Sequence, residues 1–214
     1  MTVVLKKPQR SARKPKGDGH LRRGEILEAA QRIFLAEGYQ GATIRKIADE
    51  VGVSSTALYM HFRDKDEILL EISDTAISRL LALNSEISGR REDPVSRVRL
   101  MLQAYMTFAL ENPNAYQLVF CGHGGMLADD KVAATQELGE RCFRKFLGVV
   151  QEIAAADRLK LGTAESAAQS LWTACHGLVS LLITKPDFSW APTQDLRTVL
   201  LESMLWGLVR DEVR

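Results

Sequence analysis

The stretch from Thr43 to Lys65, TIRKIADEVGVSSTALYMHFRDK, constrains the fold of this chain more than any other. Thr43 can cap a helix whose apolar residues recur at helical spacing on one face. Gly52 ends that helix, because glycine adopts the left-handed conformation without steric cost. A serine, Ser54 or Ser55, can then cap a second short helix. Two short helices joined by a tight glycine turn form a helix-turn-helix, whose second helix can enter the major groove of DNA.

The outward-facing side chains of this unit, which spans about residues 43–62, suit contact with DNA. Hydroxyls and an imidazole can bond to phosphates or base edges, and an arginine suits a guanine edge or a phosphate. Met60 also faces outward, but a thioether reads no hydrogen-bond pattern. The predicted DNA-binding residues are Thr43, Arg45, Ser55, Thr56, Tyr59, His61 and Lys65.

The segment ILEAAQRIFLAEGYQGATIRKIADEVGVSSTALYMHFRDKDEIL resembles the N-terminal domain of the TetR family of bacterial transcriptional regulators. Two shorter segments, ENPNAYQLVF and SLWTACHGLVSLL, resemble the C-terminal domain of a subgroup that carries a Trp, His-Gly signature. The resemblance implies a homodimeric, ligand-responsive repressor on a near-palindromic, double-stranded DNA operator. It also implies the DNA-contacting role of the residues named above. Activation in place of repression stays open.

The first residues of the chain are strongly basic. Residues 1–23 hold eight basic side chains against Asp18 alone, whereas residues 24–72 hold five basic and nine acidic ones. Residues 1–21 are therefore predicted to form a disordered basic arm. The arm either keeps the protein soluble or neutralises DNA phosphates. We favour the second interpretation, because the DNA-binding module itself has a net negative charge.

The rest of the chain predicts helices only, and the fold class is therefore all-α. An amphipathic helix over residues 22–37 completes a three-helix, helix-turn-helix DNA-binding domain over residues 22–82. Asp64 can cap a helix that continues to residue 82 and couples this domain to the remainder of the chain. Residues 83–214 are predicted to form a helical ligand-binding and dimerisation domain.

The last two predicted helices are apolar on more than one side. Thr163 can cap the first of them, over residues 164–184, and Thr193 the second, which runs to about Val209. A helix that is apolar on two faces is buried on two faces, and a second copy of the chain can cover the outer one. The predicted interface residues are Leu171, Leu178, Leu181, Leu200, Met204 and Trp206.

Aromatic side chains, tyrosine hydroxyls and histidines accompany a glycine-rich loop in the second domain, as in many small-molecule pockets. The alternative is that each of them only fills the core. In particular, His176 can be a hydrogen-bonded buried histidine, with Gly177 allowing close helix approach. The implied effector is largely apolar. The predicted ligand-binding residues are Met101, Tyr105, Phe108, Tyr116, Phe120, His123, Phe143, Trp172 and His176, with Met126 a further candidate.

Other classes of protein find little support in the sequence. No apolar run reaches the roughly 18 residues that span a bilayer, and no signal peptide is visible, so we expect a cytoplasmic protein without a membrane partner. Cys121 with His123 could suggest a thiol nucleophile or half a metal site. Further ligands are lacking, and we expect no enzyme, metal or cofactor. The three cysteines form no CxxC pattern, although redox sensing stays open.

Overall fold

The structure is a computed structural model that describes residues 19–120 and 129–210. Residues 1–18 of the predicted arm lie outside the described residues, as do Cys121, His123 and Met126. Apart from one isolated bridge between Leu159 and Val209, the regular structure of the described ranges is helical, which confirms the all-α prediction. The helices are α1 (Gly19–Gly41), α2 (Ile44–Val51), α3 (Ser55–Tyr59), α4 (Lys65–Ser88), α5 (Pro94–Glu111), α6 (Pro113–Phe120), α7 (Asp129–Ala155), α8 (Ala164–Thr184) and α9 (Thr193–Leu208).

Side-chain caps set the helix starts in the helix-turn-helix as the sequence predicted. Thr43, Ser54 and Asp64 accept a hydrogen bond from the backbone N–H three residues on, at 3.2, 3.1 and 2.8 Å. Each bond satisfies one of the amides that a helix N-terminus leaves without a partner. Gly52 ends α2 with a φ of 74°. Local chemistry therefore fixes the two short helices and the turn between them.

Helix boundaries agree only in part with the sequence predictions. The backbone leaves the helical conformation at Gly38 (φ 71°, ψ 167°), in agreement with the predicted helix end at residue 37, and a short helical stretch then continues to Gly41. α1 begins at Gly19 rather than at residue 22, and α4 ends at Ser88 rather than at residue 82. Thr193 does not cap α9, since Pro192 holds the cap position without a side-chain hydrogen bond and Thr193 is the first helical residue.

The described residues form two apolar cores that share one long helix. The first core joins α1, α2, α3 and α4 as far as Leu80 with residues of α5 and α6, and it includes the fully buried Leu58 and Phe62. The second core joins α5, α7, α8 and α9. Leu80 of α4 belongs to the first core and Ile87 to the second. α4 is therefore packed along its length and ties the two cores together.

A buried arginine fixes the junction where α4 ends. The Arg97 guanidinium is only 6% exposed, and it donates to the backbone oxygens of Ser88 (2.7 Å) and Glu92 (3.0 Å). It also forms a two-bond ion pair with Glu152 of α7. The side chain of Glu152 is 50% exposed, so solvent screens the ion pair, and the bonds to the two backbone oxygens are the buried part of this contact. Arg97 thus locks the end of α4 against α5 and α7.

The backbone at Gly52 makes a testable prediction. Gly52→Ala should lower the free energy of unfolding by about 1–2 kcal/mol, because an L side chain is strained at positive φ. The matched control is Gly148→Ala inside α7, where an added Cβ meets no atom within 4 Å. That change should leave stability equal or raise it by up to about 1 kcal/mol. Urea unfolding followed by circular dichroism measures both, and equal effects of the two variants would contradict the role of the turn.

Candidate nucleic-acid interface and ligand chamber

Arg23 of α1 holds the C-terminal end of the helix-turn-helix. Its Nε donates to Glu71 of α4 at 2.7 Å, and a second guanidinium nitrogen donates to the backbone oxygen of His61. The guanidinium carbon lies 4.1 Å from the centroid of the Phe62 ring. One side chain therefore joins α1, α4 and the segment after α3, which fixes the angle at which α3 is presented.

Lys65 has a structural role that the sequence reasoning did not predict. Its ammonium group donates to the backbone oxygens of Tyr39 (2.7 Å) and Ala42 (3.3 Å), and it lies 4.0 Å from the centroid of the Tyr39 ring. These carbonyls lie at the end of α1, where helix carbonyls lack intrahelical partners. Lys65 was predicted to bind phosphate, but the structure places its ammonium group against the protein itself.

The other predicted DNA-binding residues lie on α2, on α3 or beside them. The side chain of Arg45 is 86% exposed, with one ion pair to Asp49 at 3.8 Å. Tyr59 is 55% exposed and Thr56 is also exposed, whereas Ser55 and His61 are half-buried. Thr43 is exposed as well, although its hydroxyl caps α2. The hydroxyl and guanidinium groups therefore reach solvent on one rigidly packed unit.

Two further exposed residues of this region were not in the predicted set. Met60, directly after α3, is 83% exposed. The helical spacing in the sequence predicted that Met60 faces outward. It was left out of the predicted DNA-binding residues because a thioether reads no hydrogen-bond pattern. The side chain of Arg63 is 86% exposed and pairs with Glu67 at 3.4 Å. No sequence signal distinguished Arg63 from an ordinary surface arginine.

The second domain contains a largely apolar chamber of about 190 Å³. Five of the predicted ligand-binding residues line it: Met101, Tyr105, Phe120, Phe143 and Trp172. The remaining lining residues were missed, because an apolar stripe on α4 or α7 has the same sequence pattern whether it lines a chamber or fills a core. These are Ile77, Leu80, Asn84, Leu102, Gly139, Cys142 and Phe146.

A histidine and two tyrosines form a polar cluster beside the chamber. His176 Nδ1 lies 2.7 Å from the Tyr116 hydroxyl and 3.0 Å from the Tyr105 hydroxyl. Phe120 packs against the same group, with its ring centroid 6.1 Å from that of His176. Burial lowers the pKa of His176 below its usual 6.5. Tyr105 is the member of this cluster that lines the chamber, so Tyr116 and His176 stand behind it.

Phe108 takes a different place from the one predicted. It is 4% exposed and belongs to the first core, beside α4 and α6. It is not among the residues that line the chamber, because its position on α5 directs it towards the DNA-binding domain. His123, also predicted to bind ligand, lies outside the described residues.

Polar groups of the chamber are neutral. Asn84 donates to the backbone oxygen and the sulfur of Cys142, both at 3.4 Å. Burial raises the pKa of the Cys142 thiol to about 11, and that of Cys175, in the core, to about 12. Both thiols therefore stay protonated near neutral pH. A reactive cysteine needs the thiolate form, so neither thiol is activated.

The predicted dimer residues divide into two groups in the single chain. Leu171 is 3% exposed and packs in the second core, so it offers no surface to a partner, and this part of the prediction is corrected. Leu171 lies on the buried side of α8 together with Cys175 and Val179, because the three residues are spaced four apart along the helix. Leu181 and Trp206 are 48% and 75% exposed. Leu178, Leu200 and Met204 are half-buried beside the core.

Gly177 does not serve close approach within the chain. A Cβ at this position would meet no atom within 4 Å, so the predicted close approach of another helix is wrong for the described chain.

The described residues contain no group of three or more acidic, histidine or cysteine side chains that could hold a metal. Of the helices described, none is both long enough and apolar enough to cross a membrane.

Comparison with known proteins agrees with this geometry. Residues 26–72 match the bacterial regulatory proteins of the tetR family, and residues 98–208 match the tetracyclin repressor-like C-terminal domain. The nucleoid occlusion factor SlmA of Sodalis glossinidius is 33% identical over 198 residues, which cover 86% of this chain and 94% of that protein.

Solved structures share the fold across nearly their whole length. The TetR family regulator PfmR of Thermus thermophilus superposes with a TM-score of 0.74 at 23% identity, covering 86% of this chain and 99% of that one. AibR, in complex with isovaleryl coenzyme A and operator DNA, superposes with a TM-score of 0.73 at 17% identity, covering 87% and 99%.

The fold and the exposed helix-turn-helix define a DNA-binding transcriptional regulator. The chain belongs to the TetR family of bacterial regulatory proteins. Its matches are regulators rather than enzymes. The likeness to the Trp, His-Gly subgroup stays a prediction.

The lowered pKa of His176 predicts a pH dependence of stability. The unfolded chain, with a histidine pKa near 6.5, binds more protons than the folded chain, so acidification through this value must favour unfolding. The stability difference between wild type and His176→Gln should therefore shrink or reverse from about pH 8 to about pH 5.5. Urea unfolding of both proteins across this range measures it. A constant difference, or one that grows in acid, would contradict the burial of a neutral imidazole.

Proposed function

We propose that this protein is a homodimeric repressor that binds a near-palindromic operator and is released from it by a largely apolar small molecule. The observation that carries the proposal is the position of α4. α4 begins beside the helix-turn-helix (the reading unit, residues 43–62), where Asp64 caps it. Its Ile77, Leu80 and Asn84 line the chamber. One helix therefore connects the DNA-binding face to the effector site.

On DNA, α3 enters the major groove while the residues around it hold the phosphates. Tyr59 and Thr56 present hydroxyls to phosphates or base edges, and Arg45 suits a guanine. Thr43 and His61 contact the sugar-phosphate backbone of the DNA. Ser55 is half-buried at the start of α3, near the groove floor. Lys65 stabilises this surface through its bonds to the protein backbone. The basic arm, residues 1–21, adds further contacts to phosphates.

The dimer forms through the outer faces of α8 and α9. Val199 and Trp206 are 65% and 75% exposed, and Leu181 is 48% exposed. Large apolar side chains that are exposed together mark interaction sites. Leu178, Leu200 and Met204 flank them as half-buried residues. A twofold axis here places two α3 helices in successive major grooves about 34–36 Å apart.

The effector acts by favouring one dimer arrangement over another. α6 carries Tyr116 beside the chamber, while its Ala115 and Leu118 lie in the first core with α1. A ligand that moves Phe120 or Tyr105 therefore acts on the reading unit through α6 as well as α4. Ligand and operator must weaken each other by the same factor. The regulator acts in the cytoplasm, where bacterial DNA lies.

A second candidate function comes from the relatives named nucleoid occlusion factor. Their identity to this chain, 32–33%, exceeds that of the solved regulators reported above. In that case the protein would act at the nucleoid rather than at one promoter. Chromatin immunoprecipitation decides between the two: a few promoter peaks support the repressor, and many peaks across the chromosome support the nucleoid role.

Tyr59 tests the DNA-binding assignment. Tyr59→Ala should weaken binding to the promoter of the protein's own gene by about tenfold or more, because each copy in the dimer loses a hydrogen bond to a charged group. Fluorescence anisotropy with labelled promoter DNA measures the affinity. Leu161→Ala, at a 66% exposed position before α8, is the matched control and should bind as wild type does. Equal affinities of both variants would remove α3 from the interface.

Trp206 tests the dimer. Trp206→Glu places a charge on the proposed interface, and the desolvation of that charge should shift the protein from two chains to one at micromolar concentration. Sedimentation velocity distinguishes the 23.8 kDa chain from its dimer. Met60→Glu adds the same charge at an 83% exposed position of the DNA-binding domain and should stay dimeric. A dimeric Trp206→Glu variant would place the interface on another surface.

A further inference from the structure

Gly139 occupies an unusual place in α7. It lies inside the helix, where glycine is less stable than alanine. It is half-buried, yet a Cβ added to it would meet no atom within 4 Å. Close packing therefore does not explain the glycine. It faces open space inside an otherwise well-filled domain.

That open space lies where the chamber and a surface groove adjoin. A groove of about 550 Å³ runs along α7 and α8, and it shares Gly139, Phe143 and Trp172 with the chamber. The ring centroids of Phe143 and Trp172 are 5.8 Å apart, and Trp172 is 38% exposed. Two aromatic side chains and one missing side chain thus surround the way from the groove into the chamber.

The chamber and the groove differ in charge. Among the described residues that line the chamber, none is charged, and its side chains with polar groups are Asn84, Tyr105, Cys142 and Trp172. The groove outside carries Glu140 and Arg144, which pair at 3.9 Å. An ionised ligand in the chamber would lose its hydration without gaining a counter-charge. The chamber therefore selects neutral molecules.

The volume limits the size of the ligand. Drug-sized ligands occupy pockets of about 300–1,000 Å³, and the chamber has about 190 Å³. An apolar cavity of about 150 Å³ in another protein holds benzene. One ring with a small substituent fills the chamber, and a second fused ring exceeds it.

We propose that the chamber binds an uncharged, single-ring apolar molecule with at most one hydrogen-bonding substituent. The molecule enters over Gly139, between Phe143 and Trp172, and Gly139 sets the size that can pass. The substituent bonds to the Asn84 amide. This inference rests on the proposed function in one respect: it takes the chamber as the effector site.

The charge selectivity is tested with two probes of the same size. Isothermal titration of the full chain without DNA should show that benzyl alcohol binds at least tenfold more tightly than benzoate. The two molecules share the ring and differ in charge near neutral pH. Equal or tighter binding of benzoate would overturn the inference, and so would the failure of both probes to bind.

The role of Gly139 is tested with a matched pair of variants. Gly139→Leu should weaken benzyl alcohol binding at least tenfold, because Gly139 lines the chamber and the leucine side chain takes up the space of the ligand. Gly148→Leu alters the same helix at a position that also has no atom within 4 Å of an added Cβ and lines neither space, and it should bind as wild type does. Gly139→Ala, which strengthens the helix, provides a second, folded variant with a smaller loss. Unchanged binding in both Gly139 variants would overturn the assignment.

Operator release is measured separately. If benzyl alcohol binds with the expected selectivity but leaves operator affinity unchanged, the proposed effector function fails while the ligand class stands. If operator DNA is released by a charged or much larger molecule, and benzyl alcohol does not bind, the effector function stands and the ligand class fails.

Discussion

The burial of α4 along its whole length is the interaction on which the rest of the structure depends. Its first half packs against α1 and the helix-turn-helix, and its last turn carries Ile87 into the second core. Asp64 fixes its start, and Arg97 fixes its end through bonds to Ser88 and Glu152. α4 therefore connects the chamber to the helix-turn-helix as one continuous helix.

The cations of the DNA-binding domain divide by role. Arg23 and Lys65 donate to backbone oxygens and lie over aromatic rings, which holds α3 and α4 in place. Arg45 and Arg63 reach solvent, each with only a weakly held acidic neighbour. Exposed ion pairs contribute about 0–1 kcal/mol, so a phosphate can replace these acids at little cost. The cations exposed on the proposed DNA-binding surface and the cations that hold the helix-turn-helix in place are thus different side chains.

The chamber has a neutral interior, and the groove beside it is charged. Its interior polar groups are bonded to the protein itself, as Asn84 is to Cys142. Tyr105 bonds to His176, which burial keeps neutral near physiological pH. Bonded polar groups are held in fixed positions and can orient a ligand. Gly139 and Trp172 line both the chamber and the groove, whereas Glu140 and Arg144 line only the groove.

The sequence by itself determined the helices of the DNA-binding domain, because caps, a left-handed glycine and helical periodicity act over a few residues. It also placed Tyr105, Phe143 and Trp172 together in one predicted pocket. Only the tertiary structure decided that Lys65 and Leu171 face inward, that Phe108 belongs to the first core, and that α4 and Gly139 line the chamber. An apolar or cationic side chain looks the same in sequence whichever neighbour it meets, and those neighbours lie far apart along the chain.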